Sequence, residues 1–337
     1  MKYKTYNLLW VGLLFLSNSV LADEQTPAVN AVSGDLSIMV LGSGGPAPLK
    51  SARASSGYLI FTDGKPRFLM DVGGGTYKSL AESQADIKDI DFILLSHLHI
   101  DHTADLSAFI KGMYFQNRDA DNLRTKPVRI FGPGKNKATF PKTKILQYPS
   151  TSDYAHQHYD MKVGTERYLN IFATAIHGGT FSYKATDIPA DVKKPISTII
   201  DEGGLKIKAI AVVHGPAPAV AYRIEYKGKS IVFSGDTSSA TDNMIKIAQG
   251  ADLLIYDTAI MDKAPNKYPG DKVFFKLHTT PSRMGEVVAA AKPKQLVLSH
   301  LTSLTESRTD EVADLVKKKG YMGEITVAHD LAVYNIK

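Results

Sequence analysis

Short apolar runs, rather than long amphipathic stretches, set the rhythm of this chain. Leu36 to Leu41, Phe92 to Leu95, Val128 to Phe131, Leu253 to Tyr256 and Gln295 to Leu298 are mostly apolar on consecutive positions and end at polar residues or glycine. Runs of that length suit strands buried on both faces. Tyr58 to Phe61 and Arg67 to Met70 flank Asp63-Gly64, a hairpin signature. Leu205 to Val213, Val220 to Tyr226 and Ser230 to Ser234 predict three more strands, the last two joined at Lys227-Gly228-Lys229. Ile325 to Val327 and Ala332 to Tyr334 predict two short closing strands.

Helical spacing predicts helices from Gly75 to about Ala81, Ala104 to about Tyr114, Ser282 to Ala291 and Glu311 to Lys318. Each half of the chain therefore starts with strands and proceeds to helices. A sandwich of two sheets with helices outside is the α/β arrangement that buries such strands. The stretch from about 133 to 194 is rich in tyrosine and lysine and lacks a clear period. It is expected to be an insertion in one domain, not a core of its own. No fixed-period repeat and no low-complexity tract is present.

Residues 1–22 differ from the rest. Lys2 and Lys4 precede the apolar run Leu8 to Leu16, and Val20-Leu21-Ala22 forms a small-residue cleavage site. This predicts a secretory signal cleaved after Ala22, too short to be a stable membrane anchor, and a periplasmic or secreted domain over 23–337. The 337 residues include no cysteine, which excludes thiolate metal sites, a cysteine nucleophile and disulfides. With 44% apolar residues the chain can build a sizeable core. The formal charge is +6, and the densest basic runs are Lys193-Lys194 and Lys317 to Lys319. Without an arginine-rich arm interleaved with aromatics, nucleic acid is not the expected partner.

The chemistry concentrates in Ser96-His97-Leu98-His99-Ile100-Asp101-His102, directly after an apolar strand. Alternate residues of an extended segment point the same way, so His97 and His99 can share one ion. Asp101 and His102, where the chain turns toward a helix, can face a second. Imidazole and carboxylate suit zinc, and also manganese or iron. His214, Asp236 and His300 each follow a predicted strand, where they could complete a two-metal site.

With these residues in order, the chain resembles the metallo-β-lactamase superfamily from about Leu36 to Tyr334. The resemblance implies a four-layer αββα sandwich holding two zinc ions per chain. It implies that His97, His99 and His214 bind one metal, that Asp101, His102 and His300 bind the other, and that Asp236 bridges them. It also matches Asp71 to an early aspartate that supports the site, although a turn-forming role before Gly73 stays open. Within the superfamily, Leu41-Gly42-Ser43-Gly44-Gly45-Pro46, Phe131-Gly132-Pro133-Gly134, Tyr256-Asp257-Thr258-Ala259 and His278-Thr279-Thr280 resemble the ribonuclease Z-like group. Asp257 stands where the tRNA-processing enzymes have glutamate, and no tRNA-gripping arm is evident.

The run His99-Ile100-Asp101-His102-Thr103-Ala104-Asp105-Leu106 resembles the zinc-dependent arylsulfatases of this group, and its Thr103-Ala104-Asp105-Leu106 continuation favours them over the cyclic-nucleotide phosphodiesterases. The leading expectation is thus an exported binuclear zinc hydrolase of sulfate esters, in which the two ions activate a bridging hydroxide. The alternative is a phosphodiesterase, acting on cyclic nucleotides or other diesters at the same site. Lactonase or β-lactamase activity and a non-catalytic metal-binding role rank lower. The expected partner is a small anionic ester; a homodimer stays open. His278 is expected to donate a proton to the leaving oxygen, oriented by Asp257. The aromatics Tyr148, Tyr154, Tyr159, Tyr168, Phe172, Phe181 and Tyr183 form either a packed lobe or a wall against an aryl or base group. His156-x-His158 has metal-like spacing but nothing nearby in sequence to complete a site.

Overall fold

The computed structural model describes residues 27–116, 124–139, 146–171, 181–263 and 271–337. The proposed signal segment and Phe172 lie outside them. Two seven-stranded sheets face each other. The first has the order β14 (Val333–Asn335), β1 (Leu36–Gly42), β2 (Gly57–Thr62), β3 (Lys65–Val72), β4 (Phe92–Leu94), β5 (Val128–Pro133), β6 (Tyr183–Ile188). The second has the order β13 (Glu324–Val327), β12 (Gln295–Ser299), β11 (Leu253–Asp257), β10 (Lys229–Phe233), β9 (Ala217–Tyr226), β8 (Leu205–His214), β7 (Ser197–Glu202). In each sheet antiparallel hairpins pass into a parallel half, from β3 to β6 and from β10 to β13.

The apolar runs lack alternation because both sheet faces are covered. In β1, Ile38 and Val40 enter the core between the sheets, while Met39 and Leu41 enter an outer core. On that outer side α1 (Thr76–Ser83), α3 (Leu106–Gln116) and α4 (Thr151–Tyr159) supply Leu80, Phe109, Ile110 and Tyr159. On the far side, α6 (Asn243–Ala248), α8 (Pro281–Ala291) and α9 (Thr309–Lys317) cover the second sheet with Ile247, Val287, Val288 and Val316. The layers are α, β, β, α. Burying each such aliphatic side chain contributes roughly 1.5–3 kcal/mol.

Thr280 caps α8 and Pro281 supplies its first turn, so the helix starts where the sequence signals it. The segment 133–194 is more ordered than its composition suggests. It carries α4, started by a Ser150–Asp153 capping box, the single turn α5 (Tyr168–Ile171), and β6, which pairs in parallel with β5. β6 and β7 are sheet edges and half-exposed, so they carry charged residues and only a weak apolar signal. Tyr159, Phe181 and Tyr183 pack edge to face and tilted against one another, and the Tyr159 hydroxyl lies 2.9 Å from Ser107 Oγ. These three are packed lobe rather than wall. His156 and His158 sit beside Asp160 and Glu166 as surface pairs.

Candidate metal centre

Strands running in the same direction within a sheet deliver their C-terminal ends to one edge, where ligands commonly sit in α/β proteins. Asp71 lies near the end of β3. His97 and His99 follow β4, and Asp101 and His102 form the single turn α2 (Ile100–Thr103). His214 ends β8, Asp236 follows β10, Asp257 ends β11 and His300 follows β12. His278 follows α7 (Asp271–Leu277). Asp71 and His300 hold left-handed φ values of 52° and 57°. Such backbone strain in non-glycine residues persists where surrounding contacts enforce it.

All seven expected ligands converge. Donor atoms of His97, His99 and His214 lie within 4.8 Å of one another, as do those of Asp101, His102, Asp236 and His300. His214 Nε2 is 3.2 Å from His99 Nδ1, and His102 Nε2 is 3.2 Å from His300 Nε2. Asp236 stands between the groups. Its Oδ1 is 3.3 Å from both His102 Nε2 and His300 Nε2, whereas its Oδ2 is 3.8 Å from His97 Nε2 and His214 Nε2. One carboxylate thus offers one oxygen to each cluster. Every member is buried except His99, which marks the open side.

Partners beyond these residues fix the ring orientations. His102 Nδ1 is 2.7 Å from Asp71 Oδ2, and His214 Nδ1 donates to the Leu277 carbonyl at 2.8 Å. Both contacts turn Nε2 into the cluster. Asp71 also accepts from the Ser96 amide at 2.7 Å and the Ser96 hydroxyl at 2.8 Å. It is therefore a support as well as a turn residue. Tyr222, from the second sheet, donates to the Leu95 carbonyl at 2.7 Å, and the Val220 amide donates to Ser96. Gly73 packs on the Asp101 carbonyl so closely that a Cβ would collide with it. Sequence reasoning did not single out Ser96, Tyr222 or Leu277. Only Ser96 carried a signal, as the residue before the histidine run.

Asp71→Asn replaces one acceptor oxygen with a donor facing His102. It is expected to lower metal affinity by roughly 10–100-fold while the fold persists. A zinc titration with circular dichroism as the fold control reads both.

The donor set fits divalent metal. His97 Nε2 is buried without any hydrogen-bond partner, an arrangement that costs about 1–3 kcal/mol unless something fills it. Burial, with His102 and His214 nearby, pushes His97 well below the ordinary histidine range, and burial brings His214 to about 4. Both are therefore neutral imidazoles, the form that binds metal. Around Asp236 the balance reverses. Burial opposes charge on His300, but the Asp236 carboxylate, a hydrogen bond to Asp101 and the nearby Asp257 carboxylate outweigh it and raise the ring to about 10. Burial likewise opposes charge on Asp101, yet His102 and His300 hold it at about 2. Three buried carboxylates here need positive charge, which protons on histidine supply until a cation takes their place.

His278 and Asp257 adjoin this cluster. His278 Nδ1 lies 2.8 Å from Asp257 Oδ2 and 3.9 Å from Asp236 Oδ2, and His300 Nδ1 lies 3.4 Å from Asp257 Oδ1. Asp257 and His278 also form a third metal-capable group with Asp236 and His300. Among the described residues, no such group includes His156 or His158.

A β-lactamase superfamily domain model matches residues 152–301, and a model described as anti-Pycsar protein Apyc1 matches residues 36–128. The chain has the metallo-β-lactamase fold. Ribonuclease Z of Mycolicibacterium paratuberculosis is 24% identical over 299 residues, covering 88% of this chain and 96% of that protein. Among solved structures sharing the fold, the short form of human tRNase Z aligns with a TM-score of 0.60 at 22% identity, over 89% of this chain and 99% of that one. Zn(2+)-bound PqqB from Methylobacterium extorquens aligns with a TM-score of 0.56 at 14% identity, over 89% and 99%.

These relatives overturn the sulfate-ester expectation, and the structure explains why its basis was weak. Asp105 accepts from the Tyr77 amide at 2.9 Å, Thr103 Oγ1 donates to the His99 carbonyl and Leu106 is buried. The Thr103–Leu106 run thus staples α1 to α3 and carries no information about substrate. The expectation against nucleic acid is also overturned, because the ribonuclease Z and tRNase Z relatives are named for RNA. It had rested on the shortness of the basic runs and the lack of an arginine-rich arm interleaved with aromatics, neither of which reports on basic residues gathered by folding.

Proposed function

We propose that this chain is a metal-dependent phosphodiester hydrolase. The observation that carries the proposal is Asp236, with one oxygen toward each of two donor clusters. His97, His99 and His214 would hold one divalent ion, Asp101, His102 and His300 a second, and Asp236 both. Zinc is the default for this donor set, with manganese or iron as chemical alternatives. Bound there, the ions supply Lewis acidity toward a phosphoryl oxygen and a nucleophile at neutral pH.

The remaining work falls to the chain itself. Asp257 engages His278 Nδ1, so Nε2 is the atom left to pass a proton to the departing oxygen. Burial of Asp257 and His278 keeps water from competing for that contact. The exposed His99 side admits the substrate. A nucleic-acid diester is favoured over other phosphate esters because relatives named ribonuclease Z align along nearly their whole length.

The reading is tested by offering zinc-loaded protein bis(4-nitrophenyl) phosphate, cyclic AMP, single-stranded RNA and 4-nitrophenyl sulfate in parallel. Turnover of at least one phosphodiester and none of the sulfate is expected. Sulfate hydrolysis without diester hydrolysis would overturn the proposal. The features of residues 1–22 support export, and a mature chain starting at Asp23, measured by mass on material from the producing cell, is the matching test.

A further inference from the structure

The edge that carries the metal centre also carries lysines. β5 ends at Pro133 and leads directly into Lys135-Asn136-Lys137; β6 ends at Ile188 and leads into Asp191-Val192-Lys193. The two strands are parallel neighbours, and the Gly134 amide donates to the Ile188 carbonyl at 2.7 Å. Their lysines therefore meet in one open groove, which Val213 and Gly215 also line. Those last two residues flank the ligand His214.

The groove is held in place rather than left to chance. Asn136 Nδ2 donates to the Pro216 carbonyl at 3.0 Å, tying the lysine turn to the loop after His214. Asn136 Oδ1 accepts from the Ala138 amide at 2.9 Å, and Lys137 takes a left-handed φ of 66°. Asp191 Oδ1 accepts from the Lys193 amide at 2.9 Å, which closes the second turn. Lys135 pairs with Asp153 at 2.9 Å, whereas Lys137 and Lys193 are exposed and have no ion-pair partner among the described residues. Asp191 is the one acidic residue among those lining the groove.

We propose that this groove binds backbone phosphates of the nucleic-acid strand flanking the scissile diester, with Lys137 and Lys193 as its main contacts. The inference rests on the phosphodiester reading for its substrate. Free, adjacent lysines beside a hydrolytic centre suit a polyanion that extends past the reacting bond, where one small ester would leave them unused.

The test uses the full zinc-loaded chain and a fluorescein-labelled, hydrolysis-resistant 2′-O-methyl RNA strand, with anisotropy read across a salt series. Lys137→Ala/Lys193→Ala is expected to weaken binding by roughly tenfold at low salt. It should reduce the slope of log Kd against log salt by about 1.4, since each single-strand phosphate contact contributes about 0.7. The arginine pair at the same positions should restore binding. Turnover of bis(4-nitrophenyl) phosphate, which carries no phosphate beyond the scissile diester, should stay within twofold of wild type. Unchanged strand binding in the alanine pair, or no strand binding by wild type, overturns the groove. If wild type cleaves no diester while strand binding still depends on the two lysines, the hydrolase reading fails and the groove stands.

Discussion

Asp236→Ala is expected to abolish diester turnover and to drop bound metal from about two ions per chain to one or fewer. The carboxylate faces His102 and His300 through one oxygen and His97 and His214 through the other. Its loss therefore damages both clusters at once. It also leaves His300 without the carboxylate that contributes most to keeping it charged. Residues that merely orient a ligand typically cost 10–100-fold in affinity or activity, and a shared ligand should exceed that range. Metal content by mass spectrometry, alongside bis(4-nitrophenyl) phosphate kinetics, reads both effects. A variant that keeps two ions and near-normal turnover would remove Asp236 from its central role.

His278→Ala should behave in the opposite way on one axis. Turnover is expected to fall by roughly 10²–10⁴, the usual range for losing a positioned proton donor, while metal content stays at the wild-type level. The separation follows from geometry. His278 Nδ1 is committed to Asp257 at 2.8 Å, and Asp236 is farther away at 3.9 Å. Substrates with good leaving groups, such as a nitrophenolate, need the proton less. The deficit should therefore be smaller with bis(4-nitrophenyl) phosphate than with an alkyl leaving group. Equal losses on both substrates, or loss of metal, would make His278 a ligand or a packing residue.

The fold was legible because strands buried on both faces show themselves as unbroken apolar runs. Leu36 to Leu41 feeds one core with Ile38 and another with Met39. The candidate ligands were legible for a related reason, since each histidine or aspartate sits where such a run stops. β6 and β7 were not legible, because an edge strand buries only part of one face and tolerates charge. Nor could the sequence reveal the packing role of Asp105, whose partners lie on α1 about 28 residues earlier. The basic groove was hidden in the same way. Lys137 and Lys193 are distant in sequence and meet only because β5 and β6 are parallel neighbours. Along the sequence, Lys193 shows only as half of the short pair Lys193-Lys194 and Lys137 belongs to no dense run, so nucleic acid is not the expected partner there.

In the proposed function, two divalent ions in the His/Asp clusters make this chain a phosphodiester hydrolase. The most direct measurement strips the protein with chelator, then restores zinc in steps while counting bound ions and following bis(4-nitrophenyl) phosphate cleavage. The expected result is negligible turnover when stripped, and full recovery as occupancy approaches about two ions per chain. Turnover that survives complete removal of metal, or a fully loaded protein that cleaves no phosphodiester, would rule out a metal-dependent phosphodiester hydrolase.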